Sequence, residues 1–312
     1  MRWGLKQYLL SRHCQSFSSE KTNRRIGQLT EKLQSARRLF LALVVGLFVS
    51  TTAGAQVVIA QLSDIHLCLK SAPHAATNLK TAVRMINLRN VDAVVVSGDI
   101  GENKSCWSQA KSILSGLNAP VHYVPGNHDV HTLDVSKYRS VFGPDYYRFT
   151  VKFVDVIVVD SQLLGNYDTY SAKTPPPLPA YTQGQSATML KWMSSVAPGE
   201  RAATLAGKVI IAVQHIPVAR ASGFPPDSRP YWVISDPYRT LEMSALKALG
   251  INDVLVGHWH NGRVFGWGGI TWHSGPSTSW LPWGGDLGFA LHTITPAGNV
   301  DTEFVDLPNA SP

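Results

Sequence analysis

The sequence predicts an α/β fold, and three observations carry that prediction. Short β-branched apolar runs recur, among them residues 56–62 (QVVIAQL), 91–96 (VDAVVV) and 208–213 (KVIIAV). Stretches with apolar residues at helical spacing lie between the runs. Five of the runs end abruptly in Asp, Asn or His, as strands buried on both faces do when their carboxyl ends carry a site.

In order, the strand at 56–62 ends in Ser63-Asp64-Ile65-His66. Residues 75–88 form an amphipathic helix on Leu79, Val83, Met85 and Ile86. The strand at 91–96 ends in Ser97-Gly98-Asp99, and a helix follows at 104–117. The strand at 121–124 stops at Pro125-Gly126-Asn127-His128-Asp129, where Gly126 permits a sharp turn and Asp129 is a carboxylate placed to orient His128. A short helix at 135–141, a turn at 143–145 and strands at 146–153 and 154–160 come next. The proline-rich 166–182 reads as a loop and 186–196 as a helix. The strand at 208–213 ends in Gln214-His215, and the Pro- and Gly-rich 219–231 is a loop. A helix at 237–249 is closed by Gly250, and a strand at 253–256 ends in Gly257-His258-Trp259-His260. Hairpin strands at 263–267, 270–272, 290–295 and 300–305 complete the chain, with an aromatic loop at 279–285. No repeat or linker divides residues 56–308, which read as one domain with a tail at 309–312.

The net charge of +7 is misleading, because nine of the 28 Lys and Arg but two of the 21 Asp and Glu lie within residues 1–55. The remainder is balanced, so no basic face for nucleic acid is expected. The basic leader precedes an apolar run at 39–50, too short for a membrane span, and ends in Ala53-Gly54-Ala55. That pattern reads as a bacterial-type signal peptide over 1–55 and export to the periplasm or medium, with an uncleaved anchor as the alternative. Arg37-Arg38-Leu39-Phe40-Leu41 resembles a twin-arginine signal, with Ala36 in place of the usual Ser or Thr. Cys14 lies in the leader outside any lipobox; Cys68 and Cys106 both follow motif-bearing strands and either pair or remain buried thiols.

The polar strand ends gather Asp64, His66, Asp99, Asn127, His128, His215, His258 and His260. In extended backbone, residues two apart point to one side, so both members of Asp64-x-His66 and of His258-x-His260 are expected to reach a common centre. Imidazole, carboxylate and amide oxygen suit Mn, Fe or Zn. With His128 set aside, seven ligands exceed one tetrahedral site and suit two divalent or trivalent ions bridged by a carboxylate. His74, His122, His131, His273 and His292 read as structural, with His131 close enough to His128 to support it.

The order Asp64-x-His66, Gly98-Asp99, Gly126-Asn127-His128-Asp129, His215, Gly257-His258-x-His260 resembles the calcineurin-like metallophosphoesterase superfamily. Pro144-Asp145-Tyr146-Tyr147-Arg148-Phe149 and Asp160-Ser161-Gln162 are similar to its serine/threonine-phosphatase-like branch. The resemblance implies a four-layer α/β/β/α sandwich of two mixed sheets flanked by helices. It implies one metal on Asp64, His66 and His260, a second on Asn127, His215 and His258, and Asp99 bridging them. A metal-bridging hydroxide would attack phosphorus and His128 would act as general acid. Two departures matter. Glu102 stands where purple acid phosphatases carry a tyrosine ligand, and the stretch after Gly98-Asp99 lacks the arginine of the protein-phosphatase motif. The first expectation is a secreted phosphomonoesterase. A phosphodiesterase acting on cyclic nucleotides, nucleotides or phospholipid headgroups is the alternative, and a non-catalytic binding module the third reading.

Overall fold

The computed structural model describes residues 56–225 and 227–312; the leader, and with it the signal-peptide and twin-arginine readings, lies outside the described residues. One sheet contains the parallel strands β1 (Val57–Leu62), β2 (Ala93–Ser97) and β3 (Val121–Val124), extended by an antiparallel pair, β10 (Gly288–Ile294) and β11 (Val300–Asp306). Its order is β11-β10-β1-β2-β3. The other contains β4 (Tyr147–Val151), β5 (Val154–Val158), β6 (Val209–Val213), β7 (Asp253–Val256), β8 (Arg263–Trp267) and β9 (Ile270–Ser274) in the order β4-β5-β6-β7-β9-β8. There β5, β6, β7 and β9 run parallel, and β4 and β8 close the edges antiparallel. Five helices flank the sheets among the described residues: α1 (Ala75–Asn87), α2 (Lys104–Leu114), α3 (Ser136–Phe142), α4 (Ala180–Leu205) and α5 (Tyr238–Leu249). The result is a four-layer α/β/β/α sandwich.

Two-sided burial explains the apolar strands. Val57, Ile59, Ala93 and Val95 of the first sheet meet Val154, Val156, Val158, Ile211, Val213 and Leu255 of the second in one inner core. Their sequence neighbours Ala60, Leu62, Val94, Val96, Ile210, Ala212, Val254 and Val256 belong to the outer core with helical residues such as Leu79, Trp107, Met189 and Leu246. Each strand thus presents alternate residues to two apolar layers. Burying such a side chain is worth about 1.5–3 kcal/mol. A polar seam also joins the sheets: Gln61 donates to the Val256 carbonyl at 2.8 Å, and His292 meets Gln61 Oε1 at 2.9 Å.

The element reading needs one substantial correction. Helix α4 runs from Ala180 to Leu205 with Pro198 inside it, where the sequence predicted a loop to 182 and a helix over 186–196. Pro198-Gly199 looks like a stop, and an interior proline costs ~3 kcal/mol. Beyond it, Glu200 is fully buried and accepts a hydrogen bond from Arg148 of β4, so a partner 52 residues away ties down the continuation. Helix α2 ends at Leu114, short of the predicted 117. Cys68 and Cys106 form a disulfide, Cα–Cα 6.0 Å, joining the loop after β1 to the first turn of α2. No described helix is long and apolar enough to cross a membrane.

Candidate metal centre

The carboxyl ends of β1, β2 and β3 bring Asp64, His66, Asp99, Asn127 and His128 to one edge of the sandwich. The ends of β6 and β7 bring His215, His258 and His260 to meet them. The pairs converge by a route the sequence did not reveal. Asp64, His66, Asp99, His258 and His260 all have positive φ, from 50° to 68°, so Asp-x-His and His-x-His are not extended. Asp, Asn and His enter this region more readily than other side chains, at a cost near ~1–2 kcal/mol each. Cross-loop bonds hold the conformation: the Asp64 amide donates to Gly98 O at 3.1 Å and the His66 amide to Asp99 O at 2.9 Å. Close approach also needs glycine. A Cβ on Gly98 would run into the His215 ring, and one on Gly126 would run into Asp99.

Three groups of donor atoms lie within 4.8 Å among the described residues: Asp64–His66–Asp99–His260 and Asp99–His215–His258, which share Asp99, and His66–Glu102–His128 at their rim. Asp64 Oδ1 lies 3.2 Å from His260 Nε2, and Asp99 Oδ2 lies 3.2 Å from His215 Nε2 and 3.7 Å from His66 Nε2. Asn127 Oδ1 is 3.2 Å from His215 Nε2, which places it with the second group.

The donors fit cations. His215 Nδ1 is 2.7 Å from Ser97 O, His258 Nε2 is 2.9 Å from Tyr231 O, and His260 Nδ1 is 2.7 Å from Trp280 O. A carbonyl only accepts, so each of these nitrogens carries the proton and the opposite nitrogen offers its lone pair. His66 Nε2 and His260 Nε2 stand 3.2 Å apart, and Asp64 Oδ1 is buried with no hydrogen-bond partner. A proton on His66 Nε2 would serve only the contact with His260, whereas a cation between them would satisfy Asp64 Oδ1 and both imidazoles together. Burial pushes the Asp64 carboxyl up, but His260 and His215 outweigh it and hold it at about 2. Burial, reinforced by His215, pushes His258 down to about 3, into the neutral form that coordination needs. Burial also opposes a charged His215, yet Asp99 overrides it and raises the imidazole to about 9; a cation would displace that proton.

Two residues have roles the sequence reading missed. Glu102 Oε1 lies 3.0 Å from His128 Nδ1, 3.7 Å from His66 Nδ1, and its Oε2 lies 3.8 Å from His131 Nε2. Its spacing, three residues after Asp99, was the available signal. Tyr231 accepts from Asn127 Nδ2 through its hydroxyl at 3.1 Å and holds His258 through its carbonyl; nothing local links residues 104 positions apart. Asp129 does not orient His128 as expected. It accepts from the amides of Ile100 (3.0 Å), Gly101 (3.2 Å) and Gly126 (2.9 Å) and from Trp107 Nε1 (3.1 Å), fixing the Asp99 loop instead. Asn103 caps α2, accepting from Ser105 N and Cys106 N.

A family model described as calcineurin-like phosphoesterase matches residues 57–262. A Fibrobacter succinogenes protein described as a probable cyclic nucleotide phosphodiesterase is 24% identical over 218 residues, covering 65% of this chain and 72% of that protein. The fold is similar to that of a dimetal phosphatase from Danio rerio, with a TM-score of 0.58, 15% identity, and 80% of this chain and 99% of that one covered. It is similar also to a purple acid phosphatase from yellow lupin (Lupinus luteus), with a TM-score of 0.57, 13% identity, and 83% and 52% covered. The strand ends that meet in the cleft all fall inside the matched span, and the chain belongs to the calcineurin-like phosphoesterase family, a metal-dependent phosphoester hydrolase.

Proposed function

We propose that the chain hydrolyses phosphomonoesters on two metal ions with His128 as general acid. Asp64, His66 and His260 would hold one ion, Asn127, His215 and His258 the other, and Asp99 both. When bound, the ions neutralise phosphoryl oxygens and bring the pKa of water toward neutrality.

The observation that carries the reading is the pinning of His128 at the rim of both donor groups. Its amide donates to Asp99 Oδ1 at 2.8 Å, and its Nδ1 faces Glu102 at 3.0 Å. The transferable proton is therefore left to Nε2. Burial works against a charged ring, but without metal Asp99 and Glu102 outweigh it and raise His128 to about 9; with ions on Asp99, Glu102 is the carboxylate left to hold the proton. As water adds to phosphorus, the P–O bond to the alcohol breaks with its electron pair. His128 gives its proton to that oxygen and is reprotonated from solvent. Glu102 orients the ring without touching substrate.

His128→Ala tests this. The variant should retain its metals and lose ~10²–10⁴-fold in rate on alkyl phosphates, with a much smaller loss on p-nitrophenyl phosphate, whose leaving group needs no proton. Equal losses on both would overturn the acid role.

Similarity to the Fibrobacter succinogenes protein favours a second reading, a phosphodiesterase. Faster turnover of bis-p-nitrophenyl phosphate than of p-nitrophenyl phosphate would select it. We also infer export, a reading that the Cys68–Cys106 disulfide supports; fractionation of the expressing cell tests it.

A further inference from the structure

A cavity of about 360 Å³ opens beside His128, His258 and His260. The rest of its wall is Tyr170, Tyr231, Trp232, Trp280, Pro282 and Trp283. We propose that this cavity is the subsite for the organic portion of the phosphoester, and that it selects a planar, uncharged aromatic ring. The proposal rests on the hydrolase reading above, because it places the ring next to the His128 that would serve the departing oxygen.

Composition decides the chemistry. Among the described residues, no ionisable group other than the three histidines and tyrosine lines the cavity, and no Leu, Ile, Val or Met does. An alkyl or acyl chain is ordinarily received by branched aliphatic side chains, and a charged group by an opposite charge. Aromatic walls instead offer flat polarisable faces, on which rings stack. The size falls in the range of small-ligand sites, ~300–1,000 Å³.

Geometry supports a slot. Trp232 meets Tyr170 at 5.7 Å and 87°, Tyr231 at 5.2 Å and 83°, and Trp283 at 5.6 Å and 69°. In each of these edge-to-face pairs the edge of one ring covers a face of the other, so the free stacking surface is what the pairs leave over, chiefly on Trp283. Trp283 remains 44% exposed, indole surface that a stacked ring would remove from water. The wall is also anchored to the centre: Trp280 packs edge-on against His66 at 5.2 Å and His260 at 5.0 Å, and its carbonyl fixes His260.

An aromatic cage can also take a quaternary ammonium, but the surroundings oppose a cation. The Arg229 guanidinium already covers Tyr170 at 3.8 Å, and His258 and His260, which would hold the proposed ions, line the cavity.

The test reads binding apart from hydrolysis. Benzylphosphonate and cyclohexylmethylphosphonate present similar bulk and the same anion, one flat and one not. Calorimetry on the Mn(II)-loaded full chain should give ~5–10-fold tighter binding of benzylphosphonate, the gain of about one ring–ring stack. The ratio should fall toward one in Trp283→Ala and persist in Trp283→Phe. Equal affinities, no measurable benzylphosphonate binding, or tighter binding of phosphocholine would each overturn the subsite. Turnover of p-nitrophenyl phosphate, followed in parallel, separates the two readings. Turnover without ring preference overturns the subsite alone, and ring preference without turnover of any phosphoester overturns the hydrolase reading alone.

Discussion

Two sets of buried histidines lie among the described residues, and they behave differently. His66, His215, His258 and His260 stand at the strand ends, while His273 and His292 stand within β9 and β10. The strand pair is satisfied on every ring nitrogen: His273 meets Thr302 Oγ1 at 2.8 Å and Asp253 Oδ1 at 2.9 Å, and His292 meets the same hydroxyl and Gln61 Oε1, both at 2.9 Å. In the strand-end set His215, His258 and His260 each turn one ring nitrogen outward to a carbonyl and the other inward toward the carboxylates and imidazoles, while His66 Nδ1 has no hydrogen-bond partner among the described residues. Burial therefore does not mark a metal centre. Convergent, unpaired acceptors do.

That contrast can be broken most forcibly at Asp99, the carboxylate common to both donor groups. Asp99→Asn should lose both metals in elemental analysis and about 10³-fold or more of activity, beyond the ~10–100-fold that outer partners of a metal cost. A fully active, metal-replete variant would remove the bridging role.

Glu242 sharpens the contrast from the other side. It is fully buried beside Gln214, neither oxygen makes a hydrogen bond of good geometry, and it belongs to no metal-competent group among the described residues. Burial pushes its carboxyl up to about 8 from an ordinary 4.5. The folded state therefore keeps the proton while the unfolded state loses it, and stability falls as pH rises from about 4.5 to about 8. Glu242→Gln should flatten that fall and remove a penalty of up to about 4–5 kcal/mol at pH 8–9. Denaturant midpoints at pH 5 and 9 provide the check; a wild-type profile without the decline would show that Glu242 is not held neutral.

Glu102→Gln should cost ~10–100-fold in kcat, in line with the loss of an orienting partner, with KM little changed and metal content intact. The mutation should also move the alkaline limb of the pH–rate profile, where His128 loses its proton, to lower pH, which a purely structural role would leave in place. The smallest catalytic effect belongs to the satisfied pair. His292→Leu should leave kcat within twofold and lower stability by ~1–3 kcal/mol, because Gln61 and Thr302 lose a buried partner. A large fall in activity there would erase the distinction between the two sets.

The alternation of apolar runs and helices, and the polar residue closing each run, were readable because two-sided burial leaves a clear mark in composition. Asp64, His66, Asp99, Asn127, His215, His258 and His260 were visible for the same reason, each following such a run. The helix across Pro198 was hidden, because Arg148 holds Glu200 from a distant strand. The left-handed turns were hidden too, since backbone φ at Asp64 or His258 depends on bonds to neighbouring loops. Glu102 and Tyr231 were missed because their importance lies in what they hold, His128 and His258, and not in a pattern of their own.

The centre draws Asp64, His66, Asp99 and Asn127 from one sheet and His215, His258 and His260 from the other, so it straddles the sandwich joint. Ions seated there would act as rivets between the two halves. Their release and the parting of the sheets at that end would then be a single thermodynamic event, with chelators behaving as denaturants of the joint.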